Sequence, residues 1–88
     1  MSKKNVGARL KEVRRALNLT QHQLAEILGV SRFAVIKWEK GERDIPTEVY
    51  EALATKFGVN INWLLTGEGE PFITPQREMV KKKTIPVS

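Results

Sequence analysis

The stretch Leu24–Trp38, LAEILGVSRFAVIKW, contains two short helical patterns separated by a Gly-Val-Ser break. A helix drawn over the second pattern, at about 3.6 residues per turn, places Val35 and Trp38 on one face, with Ala34 and Glu39 beside them. The opposite face carries cations together with two large apolar groups: Arg32, Phe33, Ile36, Lys37 and Lys40. Because water alone does not account for that mixture, the pattern predicts a partner surface that is anionic and partly apolar.

The major groove of DNA is a surface of this kind, since it offers phosphates, guanine acceptors and thymine methyl groups. Arg32 can bind a guanine through two hydrogen bonds, and Phe33 or Ile36 can pack on thymine methyls. Lys40 and Arg43 are better candidates for phosphate contacts, because they stand near the helix end and in the following loop. A protein–protein contact is the alternative explanation for the exposed apolar pair.

The spacing of the whole stretch favours a helix-turn-helix. Ala25 supplies a small residue where the second helix crosses the first, and Gly29 tolerates a positive φ in the turn. Val30 can fill the space under the turn, while Val35 and Trp38 are spaced i, i+3 for burial. Leu24 and Leu28 complete the set. All of these residues at fixed offsets are stronger evidence for a helix-turn-helix than two adjacent helices alone.

Composition narrows the class of protein. The chain has 88 residues and no cysteine, which suits one small domain without disulfides or thiolate metal sites and fits a reducing cytosol. No apolar run is long enough to span a membrane, and the N-terminus lacks an apolar signal core. The single histidine, His22, is expected on the solvated surface, and neither a metal-ligand cluster nor a phosphate-binding glycine loop occurs. We therefore expect neither an enzyme nor a cofactor, and no membrane or small-molecule partner.

The charge is unevenly placed along the chain. Residues 1–40 hold nine Lys and Arg against three acids, whereas residues 41–70 hold two against six, within a net charge of +5. A basic half beside an acidic half is typical of a protein that binds a polyanion. A merely solvated basic surface is the alternative.

Helical periodicity runs from Val6 to about Leu65, with no strand signal, so the chain is predicted to be all-α with five helices. Residues 1–67 are predicted to form the domain, and residues 68–88 a largely irregular tail or linker. The expected N-caps of helices two to five are Thr20 (in a capping box with Gln23), Ser31, Thr47 and Asn60.

The two segments LTQHQLAEILGVSRFAVIKWEKGE and IPTEVYEALATKFGVNINWLLTGEG resemble the five-helix DNA-binding domain of the lambdoid phage repressor and Cro family. The resemblance spans roughly Val6 to Gly69. It implies a lambda-repressor-like fold with the helix-turn-helix at helices two and three. It also implies a sequence-specific transcriptional regulator of double-stranded DNA, such as the N-terminal domain of a phage or prophage repressor in the bacterial cytoplasm.

The resemblance also implies roles for single residues. Gln21 stands where family members grip a phosphate and support a base-reading side chain. Arg14 and Glu39 stand where several relatives place a partly buried ion pair. The base-facing positions of the recognition helix fall on Ser31, Arg32, Phe33 and Lys37, with Ile36 between them. Many relatives carry glutamines at the positions of Arg32 and Phe33, so the operator of this chain cannot be copied from them.

One recognition helix covers only a few base pairs, so we expect a homodimer on a palindromic operator. The expected contact is the fifth helix, with Trp63 as the contact residue, because that segment is more apolar than a short terminal helix needs. An antitoxin-like interaction module, whose tail binds a partner protein, is the alternative function. The tail has little amphipathic pattern, which favours the transcriptional regulator over the interaction module. The segment KKKTIPVS weakly resembles the linker of longer phage repressors.

Overall fold

The computed structural model describes residues 3–73, and within that range it contains five helices and no strand. The helices are α1 Lys3–Ala16, α2 Gln21–Leu28, α3 Arg32–Lys40, α4 Thr47–Phe57 and α5 Ile61–Thr66. The predicted all-α fold with five helices is confirmed. Most of the predicted tail, including the lysine run Lys81–Lys83, lies outside the described residues, and so does the segment on which the interaction-module alternative depends.

The core forms where one apolar stripe from each helix meets the others, with α1 packed against both α3 and α5. Leu10 of α1, Leu24 of α2, Val35 of α3, Leu53 of α4 and Leu64 of α5 are completely or almost completely buried. The face of α3 predicted to be buried is buried, and it consists of Ala34, Val35, Trp38 and Glu39. The same packing therefore decides which side of α3 is left for a partner.

A glycine sets the distance between α1 and α3. A Cβ built on Gly7 would overlap the carbonyl oxygen of Trp38 and lie 2.8 Å from that of Glu39. Gly7 therefore allows the backbone of α1 to rest directly on the last turn of α3. A glycine inside a helix carries no periodic signal, so the sequence pattern does not indicate this contact.

The helix ends follow local capping chemistry, with one exception. Thr20 and Gln23 form the predicted capping box, and Ser31 and Asn60 accept from the backbone of their own helices. The prediction that Thr47 caps α4 is wrong. Pro46 occupies the N-cap without a side-chain hydrogen bond, and Thr47 is the first helical residue, because the fixed φ of proline already leads the chain into the helix.

The turn between α2 and α3 has the left-handed glycine that the spacing predicts. Gly29 adopts φ 72° and ψ 31°, and its N–H donates to the carbonyls of Ala25 and Glu26. No atom lies within 4 Å of a Cβ built there, so backbone conformation rather than crowding calls for glycine. Val30 donates to the Ala25 carbonyl at 3.0 Å, which closes the turn and sets the start of α3.

The chain continues past α5 and packs back on the domain. Val59 and Phe72 form an isolated antiparallel bridge, in which Asn60 N–H donates to the Pro71 carbonyl at 2.8 Å and Ile73 N–H to the Gly58 carbonyl at 2.9 Å. Phe72 also packs against the core. Residues 71–73 thus pack against the helices, although they follow residue 67, where the helical pattern ends and the predicted domain boundary lies.

Gly7→Ala is expected to lower the free energy of unfolding by about 1–3 kcal/mol, the usual cost of overpacking. Helix propensity alone predicts the opposite sign, because alanine is favoured over glycine by about 1 kcal/mol. Chemical denaturation measures the change. Ala8→Gly, on the exposed side of the same helix, is the control and should lose only the propensity difference. A Gly7→Ala protein as stable as the wild type would contradict the close crossing.

Candidate DNA interface

The outward face of α3 is polar and aromatic, as the sequence predicts. Arg32 and Lys40 are exposed, and neither forms an ion pair within residues 3–73. Phe33 is 56% exposed, whereas Ile36 is half-buried. Ser31 uses its hydroxyl oxygen to accept from Ala34 N–H at 3.1 Å, which leaves its O–H free to donate outward. The face therefore offers donors at both ends, with an aromatic ring near its start.

Two cations lie against the Phe33 ring. Lys37 Nζ is 5.1 Å from the ring centroid and Arg43 Cζ is 5.7 Å from it. These distances fall within the range of cation–π attraction, about 6 Å. Arg43 comes from the loop after α3, so this loop returns toward the start of the recognition helix. Its guanidinium therefore lies beside Phe33, which is predicted to face the bases, and the predicted phosphate contact of Arg43 stays a prediction.

Lys37 also forms an ion pair with an acid that the sequence pattern does not indicate. Its Nζ donates to Glu42 Oε1 at 2.8 Å. The hydrogen bond and positive charge of Lys37 lower the pKa of the Glu42 carboxyl group, with a smaller contribution from Lys40. The fold brings the pair together because Gly41 is left-handed and turns the chain back at the end of α3. In the free protein, Glu42 therefore holds one of the three N–H donors of Lys37 and part of its charge.

A buried ion pair joins α3 to α1. Arg14 Nε donates to Glu39 Oε2 at 2.7 Å and Arg14 Nη2 donates to Oε1 at 3.2 Å, with side-chain exposures of only 11% and 3%. Arg14 Nη1 also donates to the Leu19 carbonyl at 2.8 Å, which ties down the chain just before α2. The two residues that the resemblance singled out therefore lie in contact in a bidentate geometry.

Gln21 completes this network from the first turn of α2. Its Nε2 donates to Glu39 Oε1 at 3.1 Å, and the side chain is half-buried. One amide hydrogen is thus used internally, which fixes the orientation of the side chain. The second amide hydrogen and the amide oxygen have no partner within residues 3–73, so they remain for a phosphate or a neighbouring base-reading side chain.

Trp63, to which the sequence assigned a dimer contact, lies in the core and is 8% exposed. A helix of six residues has one buried face, and here Trp63 and Leu64 form it. The apolar residues of α5 that keep some exposed surface are Ile61 and Leu65. Contact with a second copy stays a prediction, and these two residues are better placed for it than Trp63.

The structure gives little support to a metal site or a membrane span within the part of the chain that it describes. His22 is exposed and lies 3.4 Å from Glu26 on the same helix. Residues 3–73 contain no group of three His, Cys, Asp or Glu side chains able to hold a metal ion. Within the same range, none of the helices has the length and apolar content required to cross a bilayer.

A helix-turn-helix whose second helix buries one face and presents cations and an aromatic ring on the other defines a DNA-binding domain. A family model described as a helix-turn-helix domain matches residues 7–70 of the chain. The chain therefore belongs to the XRE-type helix-turn-helix family, whose members include DNA-binding transcriptional regulators.

Known proteins are similar over this domain. The chain is 42% identical over 72 residues to the propionyl-CoA carboxylase regulator of Cereibacter sphaeroides, covering 82% of this chain and 16% of that protein. It is 34% identical over 67 residues to the repressor protein CI of Enterobacteria phage phi80, covering 76% of this chain and 28% of the repressor. The chain thus spans less than a third of either relative.

A solved structure is also similar. The restriction-modification controller protein C.AhdI from Aeromonas hydrophila aligns with a TM-score of 0.63 and 32% identity, covering 70% of this chain and 94% of that chain. The arrangement of helices is therefore shared with a solved protein of nearly the same size as the domain.

Arg14→Met and Glu39→Gln should each destabilise the fold, because either change leaves a buried polar or charged group without its partner. The expected loss is about 3–5 kcal/mol for each single variant. The double variant should lose clearly less than the sum, and chemical denaturation of the four proteins measures this coupling. Strict additivity would show that the two residues do not interact in solution.

Glu42→Gln should raise the affinity for DNA of any sequence, because it frees Lys37 and removes a negative charge beside the interface. The plot of log K against log salt concentration should steepen by about 0.9 if Lys37 then meets a phosphate. Fluorescence anisotropy with labelled duplexes measures both effects. Glu51→Gln, on the exposed side of α4, is the charge-matched control, and an equal gain in both variants would assign the effect to net charge alone.

Proposed function

We propose that the chain is the operator-binding domain of a repressor, which reads a palindromic site in the major groove as a two-fold dimer. The observation that carries the proposal is the outward face of α3, where Arg32 and Phe33 are exposed while the opposite face is held in the core. Such a face provides fork-shaped donors for guanine and an apolar surface for thymine. The protein would meet its operator in the cytoplasm of a bacterial or phage-infected cell.

Two further features support DNA as the partner. The basic half of the chain supplies the cations that displace counterions from phosphates. Lys40 stands exposed at the end of α3, and Gln21 keeps free amide groups at the start of α2. These two residues lie at the two ends of the helix-turn-helix, where contacts to the backbone fix its register on the duplex.

The dimer follows from the amount of sequence one helix can read. A helix of nine residues reaches only a few base pairs, too few to address a genome. Two copies related by a two-fold axis would place their α3 helices in successive major grooves, about 34 Å apart. We place the contact between copies on α5, through the part-exposed side chains of Ile61 and Leu65.

The proposal of repression follows the similarity to the phage phi80 repressor. Another relative, BcrR of Enterococcus faecalis, 45% identical over 60 residues, is a transcriptional activator. The phage phi80 repressor is longer than this chain, so the rest of the repressor has no counterpart in this domain. A transcription assay with the selected operator placed over or upstream of a promoter separates the two outcomes.

Arg32→Ala should weaken binding by about 1–3 kcal/mol per half-site and relax the preference at one symmetric pair of positions. Selection of bound duplexes from a random pool, for the wild type and the variant, measures the preference directly. Lys40→Ala is the control, which should weaken all sequences alike and flatten the salt slope by about one. An asymmetric single half-site, or an unchanged preference in Arg32→Ala, would overturn the proposal.

A further inference from the structure

The two cations beside Phe33 differ in whether their N–H donors already have partners. Lys37 is bound to Glu42 at 2.8 Å. Arg43 forms no ion pair or hydrogen bond within residues 3–73, and its guanidinium lies against the ring, 5.7 Å from the centroid. The N–H donors of Arg43 are therefore all available, on a group that lies against an aromatic side chain.

The Phe33 ring and the Arg43 guanidinium are suited to contact different bases of two neighbouring base pairs. An exposed phenyl ring can cover the C5 methyl group of a pyrimidine, whereas a guanidinium can bind guanine O6 and N7 together. Neighbouring base pairs are separated by about 3.4 Å along the helix axis. The guanidinium and the ring centroid are 5.7 Å apart, close enough for the two groups to reach neighbouring base pairs at the same time.

We propose that Phe33 and Arg43 together read a step in which a 5-methylpyrimidine is next to a guanine. The ring covers the methyl group and Arg43 binds the adjacent guanine, so Arg43 is a specificity residue rather than a phosphate contact. The inference rests on the proposed function, and it specifies the base chemistry that this function uses.

The proposal has a regulatory consequence. Thymine and 5-methylcytosine carry the same methyl group at C5, in the same place in the major groove. A site with a CG step would then be bound better when its cytosine is methylated. The affinity of this domain for such a site would therefore respond to DNA methylation, without any further part of the protein.

The first test uses the duplex that the intact chain selects from a random pool. At the pyrimidine of the step, thymine is compared with uracil, and cytosine with 5-methylcytosine, so that each pair differs by one methyl group. The wild type should lose about fourfold in affinity per half-site when the methyl is removed, the effect of one buried methyl group. Phe33→Ala should bind both members of each pair equally.

The second test replaces the guanine of the step by 7-deazaguanine, which lacks the N7 acceptor. The wild type should lose about tenfold or more in affinity, as expected when a bidentate guanine contact is broken. The Arg43→Ala protein should bind the guanine duplex and the 7-deazaguanine duplex with equal affinity. Lys40→Ala is the matched cationic control, and it should keep the full sensitivity to both the methyl group and N7.

Each result decides the inference. A selected site without a pyrimidine–guanine step, a wild type indifferent to the methyl group, or an Arg43→Ala protein still sensitive to N7 would overturn it. An Arg43→Ala protein that loses affinity on every sequence alike would return this residue to a phosphate role. A failure to select any sequence would instead count against the proposed function. Both side chains are exposed, and circular dichroism checks that the variants stay folded.

Discussion

The buried carboxylate of Glu39 is the group on which the orientation of the recognition helix depends. Removing a charge from water costs several kcal/mol, and the cost is offset only when partners surround the charge in good geometry. Here the partners come from two other helices, Arg14 of α1 and Gln21 of α2. Any rotation of α3 about its axis would separate them, so the network restricts α3 to the orientation that exposes Phe33.

Ion pairs divide the cations in contact with α3 into two groups. Arg14 is neutralised inside the domain and adds nothing to the attraction of a polyanion at a distance. Lys37 is partly neutralised by Glu42 at the surface. Arg32, Lys40 and Arg43 form no ion pair within the described residues, so these three supply the unpaired positive charge on and beside α3.

Much of the fold could be predicted from the sequence because it depends on local rules. The buried and exposed faces of α3, the capping box at Thr20 and the left-handed turn at Gly29 all follow from residue type and spacing. The sequence did not reveal features that depend on contacts between distant segments. The close crossing at Gly7 and the burial of Trp63 require knowing which elements meet, and single-helix periodicity carries no such information. The Glu42–Lys37 pair is local, but it depends on the turn at Gly41 after α3, which helical periodicity does not describe.

The bridge between Val59 and Phe72 also determines how the domain would bear mechanical load. A pull on the chain beyond Ile73 acts first on the hydrogen bonds from Ile73 to Gly58 and from Asn60 to Pro71. Because α5 lies inside the loop that this bridge closes, tension would reach the α4–α5 turn without stretching α5 itself. Helix α5 would keep its helical conformation for as long as these two backbone hydrogen bonds hold.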